Sequence, residues 1–309
     1  MAKTPAIVVF GAGAVGSLFA HIISVNQANE VHVVARPDHV AAIRKHGLVV
    51  HRNDGSTETN SALIPHERLE DCPRPDVAFV TAKTYQIRSI VQEFEIWFGE
   101  GMPPIVLLMN GLGLVDMARQ VVPDGTFIRG IALSPAYFEP GEVWSTGGNL
   151  RYTFPPESRD LLAGIFPADI DVVFSERFEE EEWRKTLLNA VMNPVAGLLM
   201  GAVGPVLEHP SLFGIVKGLI AEFREVALAR GIDLGSLEEM EAWCRDVASK
   251  DPEHSPSLSQ DLQRGKRTEI DAINGYIINE GRRLGMATPL HEAVTTLVKF
   301  LEGIPRETT

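Results

Sequence analysis

The sequence has few cysteines, a shortage of cationic side chains and no long uninterrupted apolar segment. Of its 309 residues only two are cysteines, Cys72 and Cys244, and 28 lysine and arginine residues stand against 41 aspartate and glutamate residues. Two distant cysteines leave no disulfide framework and no CxxC motif, and they suit a reducing compartment. The formal net charge of −13 argues against nucleic acid and against an anionic membrane as partners. Any anionic ligand must therefore be held by a local group of donors.

Apolar residues make up 45% of the chain, which is ordinary for a globular protein. No segment is long and apolar enough to predict a membrane-spanning helix. The stretch from Lys3 to Val25 resembles a secretory signal, but glycine and proline residues interrupt it. We therefore expect a cytoplasmic protein, and no spacing of side chains indicates a metal site. A chain of this length favours two domains.

A glycine-rich motif follows the first β-branched run of the sequence. Ala6–Phe10 has the composition of a buried parallel strand, and a helical period begins after the glycines. The motif consists of Gly11, Ala12, Gly13, Ala14, Val15 and Gly16. This spacing between a strand and a helix is typical of dinucleotide-binding domains, because the glycines permit a tight turn and a close approach of the pyrophosphate. The alternative is a glycine turn in another α/β unit.

The residue that distinguishes the two nicotinamide cofactors is not acidic in this sequence. In NAD enzymes an Asp or Glu about 20 residues after the glycines binds the ribose 2′-hydroxyl. Here the second strand, Val31–Val34, is followed by Ala35 and Arg36. A guanidinium suits the 2′-phosphate of NADP, to which it donates bidentate hydrogen bonds. We therefore predict NADP(H) as the cofactor; the alternative is a surface arginine before Pro37.

Strand-like and helical segments alternate over the first half of the chain, which predicts a doubly wound α/β sheet of the Rossmann type. The further strand-like segments are Leu48–Val50, Asp76–Thr81, Pro104–Met109, Thr126–Leu133 and Ile170–Phe174. Glu142–Ser145 and Asn149–Phe154, with a glycine turn between them, are typical of a β-hairpin. Lys83 and Asn110 follow two of the strands, where cofactors bind in such sheets, although strand ends also carry helix caps.

The second half of the chain has no strand signal. Its segments of helical period are Phe178–Met200, Leu212–Arg230, Leu237–Ser249, Ser259–Leu284 and Leu290–Leu301. We therefore predict a Rossmann-type NADP-binding domain over residues 1–175 and an all-α domain over residues 176–309.

A polar stripe runs along the first of these helices, whose other faces are largely apolar. Lys185, Asn189 and Asn193 recur at every fourth residue. Asparagine is a poor helix former and is costly to bury without partners, so the stripe points to a polar ligand. The alternative is that Lys185 pairs with Glu181 and that the asparagines bond to neighbouring loops.

Four motifs in this chain resemble the ketopantoate reductase (2-dehydropantoate 2-reductase) family. They are GAGAVG, NGLG, WRKTLLNAVMNP and SPSLSQDLQRGKRTEIDAINGYI. The last two are the specific ones, because many dehydrogenases share a glycine motif. The resemblance covers both predicted domains. It implies NADPH-dependent reduction of ketopantoate to pantoate, on the route to pantothenate and coenzyme A, and a possible homodimer.

The resemblance also implies roles for individual residues. Lys185 matches the family's proton-donating lysine and Glu269 its active-site glutamate, which tunes the lysine or accepts a substrate hydroxyl. The substrate-binding residues that match are Asn110, Asn189, Asn193 and Ser257. The cofactor-binding residues that match are Arg36 and Lys83, with Asn110 beside the cofactor. Taken alone, Glu269 could be a solvated helix residue and Ser257 a helix cap.

Three residues depart from the family's pattern and bear on the substrate. Met109 stands where many members have glutamine, and Pro256 and Ser259 alter the motif around Ser257. Reduction of a different small 2-keto acid by the same residues therefore stays open. A non-catalytic NADP-binding sensor that keeps the fold is a separate alternative.

Overall fold

Two compact units make up the chain, and they do not follow each other simply in sequence. The computed structural model describes residues 5–26, 28–146 and 150–304. The first unit holds the residues up to Met109 together with Leu114–Phe178. The second holds Asn110–Gly113 and the described residues from Glu179 onward. Four residues of the second unit thus lie within the sequence of the first.

The first unit contains all the strands among the described residues. They are β1 (Ala6–Phe10), β2 (Glu30–Val34), β3 (Leu48–His51), β4 (Thr57–Asn60), β5 (Ile64–His66), β6 (Val77–Val80), β7 (Ile105–Leu107), β8 (Phe127–Arg129), β9 (Ile131–Leu133), β10 (Ala136–Glu139), β11 (Glu142–Ser145), β12 (Arg151–Phe154) and β13 (Asp171–Phe174). Its helices are α1 (Ala14–Val25), α2 (Pro37–His46), α3 (Ile87–Phe98), α4 (Leu114–Arg119) and α5 (Arg159–Leu162). Short 3-10 turns span Leu69–Asp71, Thr84–Gln86, Gly99–Gly101 and Pro156–Ser158.

A six-stranded sheet forms the centre of the first unit. Its strand order is β5-β2-β1-β6-β7-β8, and every neighbouring pair is parallel. The strands β6 and β7 are buried along their whole length because helices cover both faces, which accounts for their apolar composition. This order is that of the Rossmann fold, so the prediction of a doubly wound sheet is confirmed. The order reverses between β1 and β6, where such sheets bind their ligands.

The predicted hairpin of Glu142–Ser145 and Asn149–Phe154 is wrong. β11 pairs with β10 and β3, whereas β12 pairs with β9 and β13 in a different sheet. Residues 147–149, which include the predicted glycine turn, lie outside the described part of the chain. The actual hairpin joins β10 to β11 through Pro140 and Gly141, whose φ of +87° suits a tight turn after proline.

The predicted strand Thr126–Leu133 is divided between two sheets. β8 belongs to the six-stranded sheet and β9 to a three-stranded sheet with β12 and β13. The division falls at Gly130, where a Cβ would lie 2.6 Å from side-chain atoms of both Leu108 and Phe154. A glycine in a strand pattern thus marks a close approach of neighbouring side chains.

The second unit is helical throughout its described residues. Its helices are α6 (Phe178–Val191), α7 (Asn193–Leu198), α8 (Gly204–Glu208), α9 (Pro210–Ala229), α10 (Leu237–Ser249), α11 (Ser257–Gln263), α12 (Ile270–Arg283) and α13 (Pro289–Glu302). The prediction of an α/β sheet followed by helices is therefore confirmed. No helix in the described residues has the length and apolar character to cross a bilayer.

Two of the predicted helices are each interrupted. The segment Phe178–Met200 breaks at Met192, two residues before Pro194, which has no N–H for the helical pattern. The segment Ser259–Leu284 breaks after Gln263. There Gly265 has φ of +62°, and the amides of Gly265 and Lys266 bond back to the carbonyls of Leu262 and Asp261. These two bonds form a Schellman motif, which ends α11.

A buried chain of hydrogen bonds links four helices of the second unit. The Nε2–H of His291 in α13 donates to the Leu219 carbonyl of α9 at 3.1 Å. The Asn274 amide of α12 donates to His291 Nδ1 at 2.9 Å and to the Ala190 carbonyl of α6 at 2.8 Å. The Leu219 carbonyl fixes the tautomer of His291, so Nδ1 is the acceptor. Burial lowers the pKa of His291 to about 4, so the imidazole is neutral in the folded protein.

The buried imidazole predicts a loss of stability in acid. The unfolded chain binds a proton at His291 below its ordinary pKa of 6.5, whereas the folded protein does so only near 4. The free energy of unfolding should therefore fall by about 2–3 kcal/mol as the pH falls from about 6.5 towards about 4. We expect the unfolding free energy of His291→Leu, measured with urea at several pH values, to fall less steeply over that range. Parallel profiles for the variant and the parent protein would contradict the assignment.

Candidate active site

The loop between β1 and α1 has room for backbone atoms only. Gly11 has φ of +95°, and a Cβ on it would lie 2.6 Å from the backbone nitrogen of Ala82. A Cβ on Gly16 would overlap the Thr81 hydroxyl oxygen. Only glycine fits at either position, so the loop follows the carboxyl ends of β1 and β6 closely.

The first turn of α1 leaves its backbone N–H groups without a side-chain cap. Gly13 is its N-cap, and no side chain caps the first turn. A Cβ on Gly13 would lie 3.8 Å from the Phe138 ring, in ordinary van der Waals contact, so the backbone is not crowded at this turn. The neighbouring Ala12 is buried, and Ala14 and Val15 are half-buried. N–H groups without a side-chain cap at a helix N-terminus are the kind of group that binds the pyrophosphate of a dinucleotide.

A second buried chain of hydrogen bonds holds this loop. The backbone N–H of Gly141 donates to His39 Nδ1 at 2.8 Å, so His39 Nε2 carries a hydrogen for the Ser17 hydroxyl oxygen at 3.0 Å. Ser17 in turn donates to the Ala12 carbonyl at 3.2 Å. Burial lowers the pKa of His39, which favours this neutral form. The chain ties α2 and the β10–β11 turn to the glycine loop.

Arg36 follows β2 and lies against an aromatic ring. Its guanidinium carbon is 5.6 Å from the centroid of Phe138, and its Nε is 4.0 Å from the Asp38 carboxylate. The Arg36 side chain is 59% exposed, so it is accessible to a ligand. The same ring would lie 3.8 Å from a Cβ on Gly13, so the Arg36 guanidinium and the glycine loop both lie near Phe138. Sequence reasoning missed Phe138 because it lies on β10, a strand that the apolar pattern did not predict.

Lys83 lies at the carboxyl edge of the six-stranded sheet. It follows β6 and precedes the 3-10 turn Thr84–Gln86, and its side chain is half-buried. The adjacent Ala82 backbone packs against Gly11, so Lys83 and the glycine loop share this edge. The Lys83 side chain does not cap the 3-10 turn that follows it.

The Asn110–Gly113 loop is docked on α12 within the second unit. The Leu112 N–H donates to the Ala272 carbonyl at 3.1 Å, and a Cβ on Gly111 would lie 2.7 Å from the same oxygen. The docked loop carries the Asn110 amide to 3.4 Å from the Glu269 carboxylate, a long hydrogen bond. The structure therefore brings together two of the sequence-predicted site residues that are 159 positions apart.

Glu269 is not a solvated helix residue. It precedes the first residue of α12 and is only 8% exposed. A carboxylate at a helix N-terminus is favoured by the helix dipole, and it accepts the Asn110 hydrogen bond in that position. The alternative that Glu269 is a solvated helix residue is thus wrong, because the side chain is buried and the helix begins one residue later. Periodicity in the sequence could show neither fact.

The polar stripe lies across the break between α6 and α7. Lys185, Asn189 and Asn193 are all half-buried. The Asn193 amide donates to the Asn189 side-chain carbonyl at 3.1 Å, so the asparagines bond to each other and not to neighbouring loops. Neither the Asn189 NH₂ group nor the Asn193 side-chain oxygen bonds to any other described residue. The pair therefore presents a donor and an acceptor to a ligand.

Ser257 is the first residue of α11 and is exposed. The N-cap is Pro256, and no side chain caps this helix, so the interpretation of Ser257 as a cap is wrong. The next residue, Leu258, packs so closely on Gly197 of α7 that a Cβ there would overlap it. This contact holds the start of α11 beside α7.

Family models match both halves of the chain. The model described as "Ketopantoate reductase PanE/ApbA" matches residues 7–158, and "Ketopantoate reductase PanE/ApbA C terminal" matches residues 177–302. The chain belongs to the ketopantoate reductase family. A relative named 2-dehydropantoate 2-reductase from Streptococcus pyogenes serotype M18 is 30% identical over 306 residues, which are 96% of this chain and 98% of the relative.

Several solved structures superpose well on the chain. The crystal structure of 2-dehydropantoate 2-reductase from Methylococcus capsulatus has a TM-score of 0.80 at 25% identity and covers 96% of each chain. A D-mandelate dehydrogenase with NADH and anilino(oxo)acetate has a TM-score of 0.84 at 25% identity, covering 96% of this chain and 98% of its own. As a member of the ketopantoate reductase family, the chain is a nicotinamide-dependent oxidoreductase.

Proposed function

We propose that this protein reduces 2-dehydropantoate (ketopantoate) to pantoate with NADPH, on the route to pantothenate and coenzyme A. The observation that carries the proposal is the hydrogen bond between Asn110 and Glu269 in the unit that also bears Lys185, Asn189 and Asn193. The substrate has a ketone, a carboxylate and a hydroxyl. A cation can stabilise the ketone oxygen, amide donors can bind the carboxylate, and an acceptor can bind the hydroxyl. These residues supply all three kinds of group.

Lys185 acts as the proton donor in this proposal. When bound, NADPH supplies the hydride to the ketone carbon. Negative charge then develops on the ketone oxygen, where the Lys185 ammonium stabilises it and transfers a proton from Nζ to that oxygen. Water reprotonates the neutral amine afterwards. Half-burial of Lys185 strengthens the electrostatic interaction relative to bulk water.

The asparagines and Glu269 orient the substrate. The Asn193–Asn189 bond leaves the Asn189 NH₂ group to donate to a substrate oxygen and the Asn193 oxygen to accept a hydroxyl. Glu269 and Asn110, joined at 3.4 Å, form a second acceptor and donor pair, and Ser257 adds a hydroxyl. Such positioning matters because hydride transfer depends on near-attack geometry. Gly11–Gly16, Arg36 and Lys83 hold the cofactor phosphates.

A second function has a specific observation in its favour. The D-mandelate dehydrogenase that superposes with a TM-score of 0.84 holds NADH and anilino(oxo)acetate. In addition, the Asp38 carboxylate lies 4.0 Å from Arg36 and would repel a 2′-phosphate. NADH-dependent reduction of a different 2-keto acid is therefore the alternative.

A panel of 2-keto acids distinguishes these functions. We expect kcat/KM with NADPH to be at least about tenfold higher for ketopantoate than for phenylglyoxylate, because a hydroxyl-binding site is left unpaired by a substrate that lacks the hydroxyl. The oxidation of NADPH or NADH is followed by its absorbance. A preference for phenylglyoxylate would favour the alternative, and no turnover with any keto acid would indicate a sensor.

Removal of the proton donor should abolish turnover and spare cofactor binding. For Lys185→Ala we expect kcat to fall by about 10²–10⁴-fold, since a positioned general acid contributes that much. The affinity for NADPH, measured by fluorescence titration, should stay nearly constant. The matched control is Lys217→Ala, whose ammonium pairs with Glu241 at 2.6 Å on the same unit. Near-normal turnover of Lys185→Ala would rule out this acid.

Removal of the Arg36 guanidinium should erode the preference for NADPH. The 2′-phosphate loses its bidentate partner, so the ratio of kcat/KM for NADPH to that for NADH should fall by about tenfold or more. The control is Arg44→Ala on α2, where the guanidinium lies 3.9 Å from Glu67. A ratio that is the same in Arg36→Ala and in the parent protein would remove Arg36 from the cofactor site.

A further inference from the structure

Asn274 occupies a position where an apolar side chain would be expected. Its exposed fraction is 0%, as are those of Ala190 and His291. Its side-chain oxygen bonds to no described residue, and a buried acceptor without a partner destabilises the fold. Both hydrogens of the amide are nevertheless used, one by the Ala190 carbonyl and one by His291 Nδ1. The two hydrogen bonds that the NH₂ group donates are therefore the reason that an asparagine is suited to this position.

The Ala190 carbonyl needs a donor because of the proline four residues later. In a continuous helix the N–H of residue 194 would bond to this carbonyl, but Pro194 has none. Ala190 is buried, so water cannot readily satisfy the oxygen. The Asn274 amide supplies the missing donor at 2.8 Å from the neighbouring helix α12. The break between α6 and α7 is therefore closed by a side chain.

Ala190 and Pro194 are each next in sequence to a residue of the proposed substrate site. Asn189 directly precedes Ala190, and Asn193 directly precedes Pro194. The two asparagines face each other across the break at 3.1 Å. A change in the backbone at the break would alter this distance and the direction of the Asn189 donor. The bond to Ala190 therefore lies where it can affect the geometry of the pair.

We infer that Asn274 is a positioning residue of the reductase: its bond to the Ala190 carbonyl replaces the one that Pro194 cannot donate and so sets the orientation of Asn189 and Asn193. The inference rests on the proposed function for the identity of the site. Asn274 itself bonds to the backbone and to His291, and its role is exerted through the two asparagines.

The test compares Asn274→Leu with His291→Leu. Both variants lose the bond between Asn274 and His291, but only Asn274→Leu loses the bond to Ala190. We expect Asn274→Leu to raise KM for the keto acid and to lower kcat/KM by about tenfold or more, with KM for NADPH unchanged. His291→Leu should lose stability and keep its kinetic constants within about twofold. Equal kinetic effects of the two variants, or none for Asn274→Leu, would overturn the inference.

A second comparison decides the mechanism even where Asn274→Leu folds poorly. Pro194→Ala provides an N–H for the Ala190 carbonyl, so the Asn274 amide has no carbonyl left to satisfy. We expect Pro194→Ala and the double variant Pro194→Ala/Asn274→Leu to have kcat/KM values within about twofold of each other. If Asn274→Leu also lowers kcat/KM in the Pro194→Ala background, Asn274 acts by some route other than its bond to the Ala190 carbonyl, and the inference is overturned.

A third measurement needs no substrate and so separates this inference from the proposed function. Amide hydrogen exchange over residues 186–198 should be faster in Asn274→Leu than in His291→Leu, because only the former opens the break. Unchanged exchange there in Asn274→Leu would refute the positioning role, whatever the wild-type substrate is. If the wild type prefers another 2-keto acid, the kinetic comparison is made with that acid and the inference stands or falls separately.

Discussion

A backbone contact between the Asn110–Gly113 loop and α12 is the constraint on which the pairing of Asn110 with Glu269 depends. The Leu112 amide bonds to the Ala272 carbonyl at 3.1 Å, and Gly111 lies so close that a Cβ would be 2.7 Å from that oxygen. Leu112 is also buried in the apolar core of the unit. Packing and hydrogen bonding together therefore hold the loop, and a loop held in this way keeps Asn110 against Glu269.

The sequence predicts the classes of element well and their interruptions poorly. Periodicity reports which face of a segment is apolar, and that face continues across a break, so Phe178–Met200 and Ser259–Leu284 each read as one helix. The stop signals, Pro194 and Gly265, are present in the sequence, but neither residue type always ends a helix. At Pro194 the freed Ala190 carbonyl bonds to Asn274, which is distant in sequence. The wrong hairpin prediction also came from a local signal. Turn residues show where the chain reverses direction, but they do not show which strands pair.

The candidate site was predictable where its chemistry is local and unpredictable where it depends on distant partners. The glycine motif and the Lys185 stripe show their spacing in sequence, because a turn and a helix face are local. The Asn110–Glu269 contact could be expected only from the family resemblance, since 159 positions separate the two residues. Phe138 and Asn274 gave no signal: each acts through a neighbour that the fold alone brings near.

An acidic chain that takes anionic ligands must rely on charges close to them. With a net charge of −13, the surface as a whole slows the approach of a keto acid or a dinucleotide. Exposed charges are largely screened beyond about 8 Å, however, so the bound state depends on the nearest groups. Asp38 and Arg36 are 4.0 Å apart and both more than half exposed, and such a pair is weak. The Arg36 guanidinium is therefore accessible to a second anion, and the Asp38 carboxylate would oppose that anion at the same place.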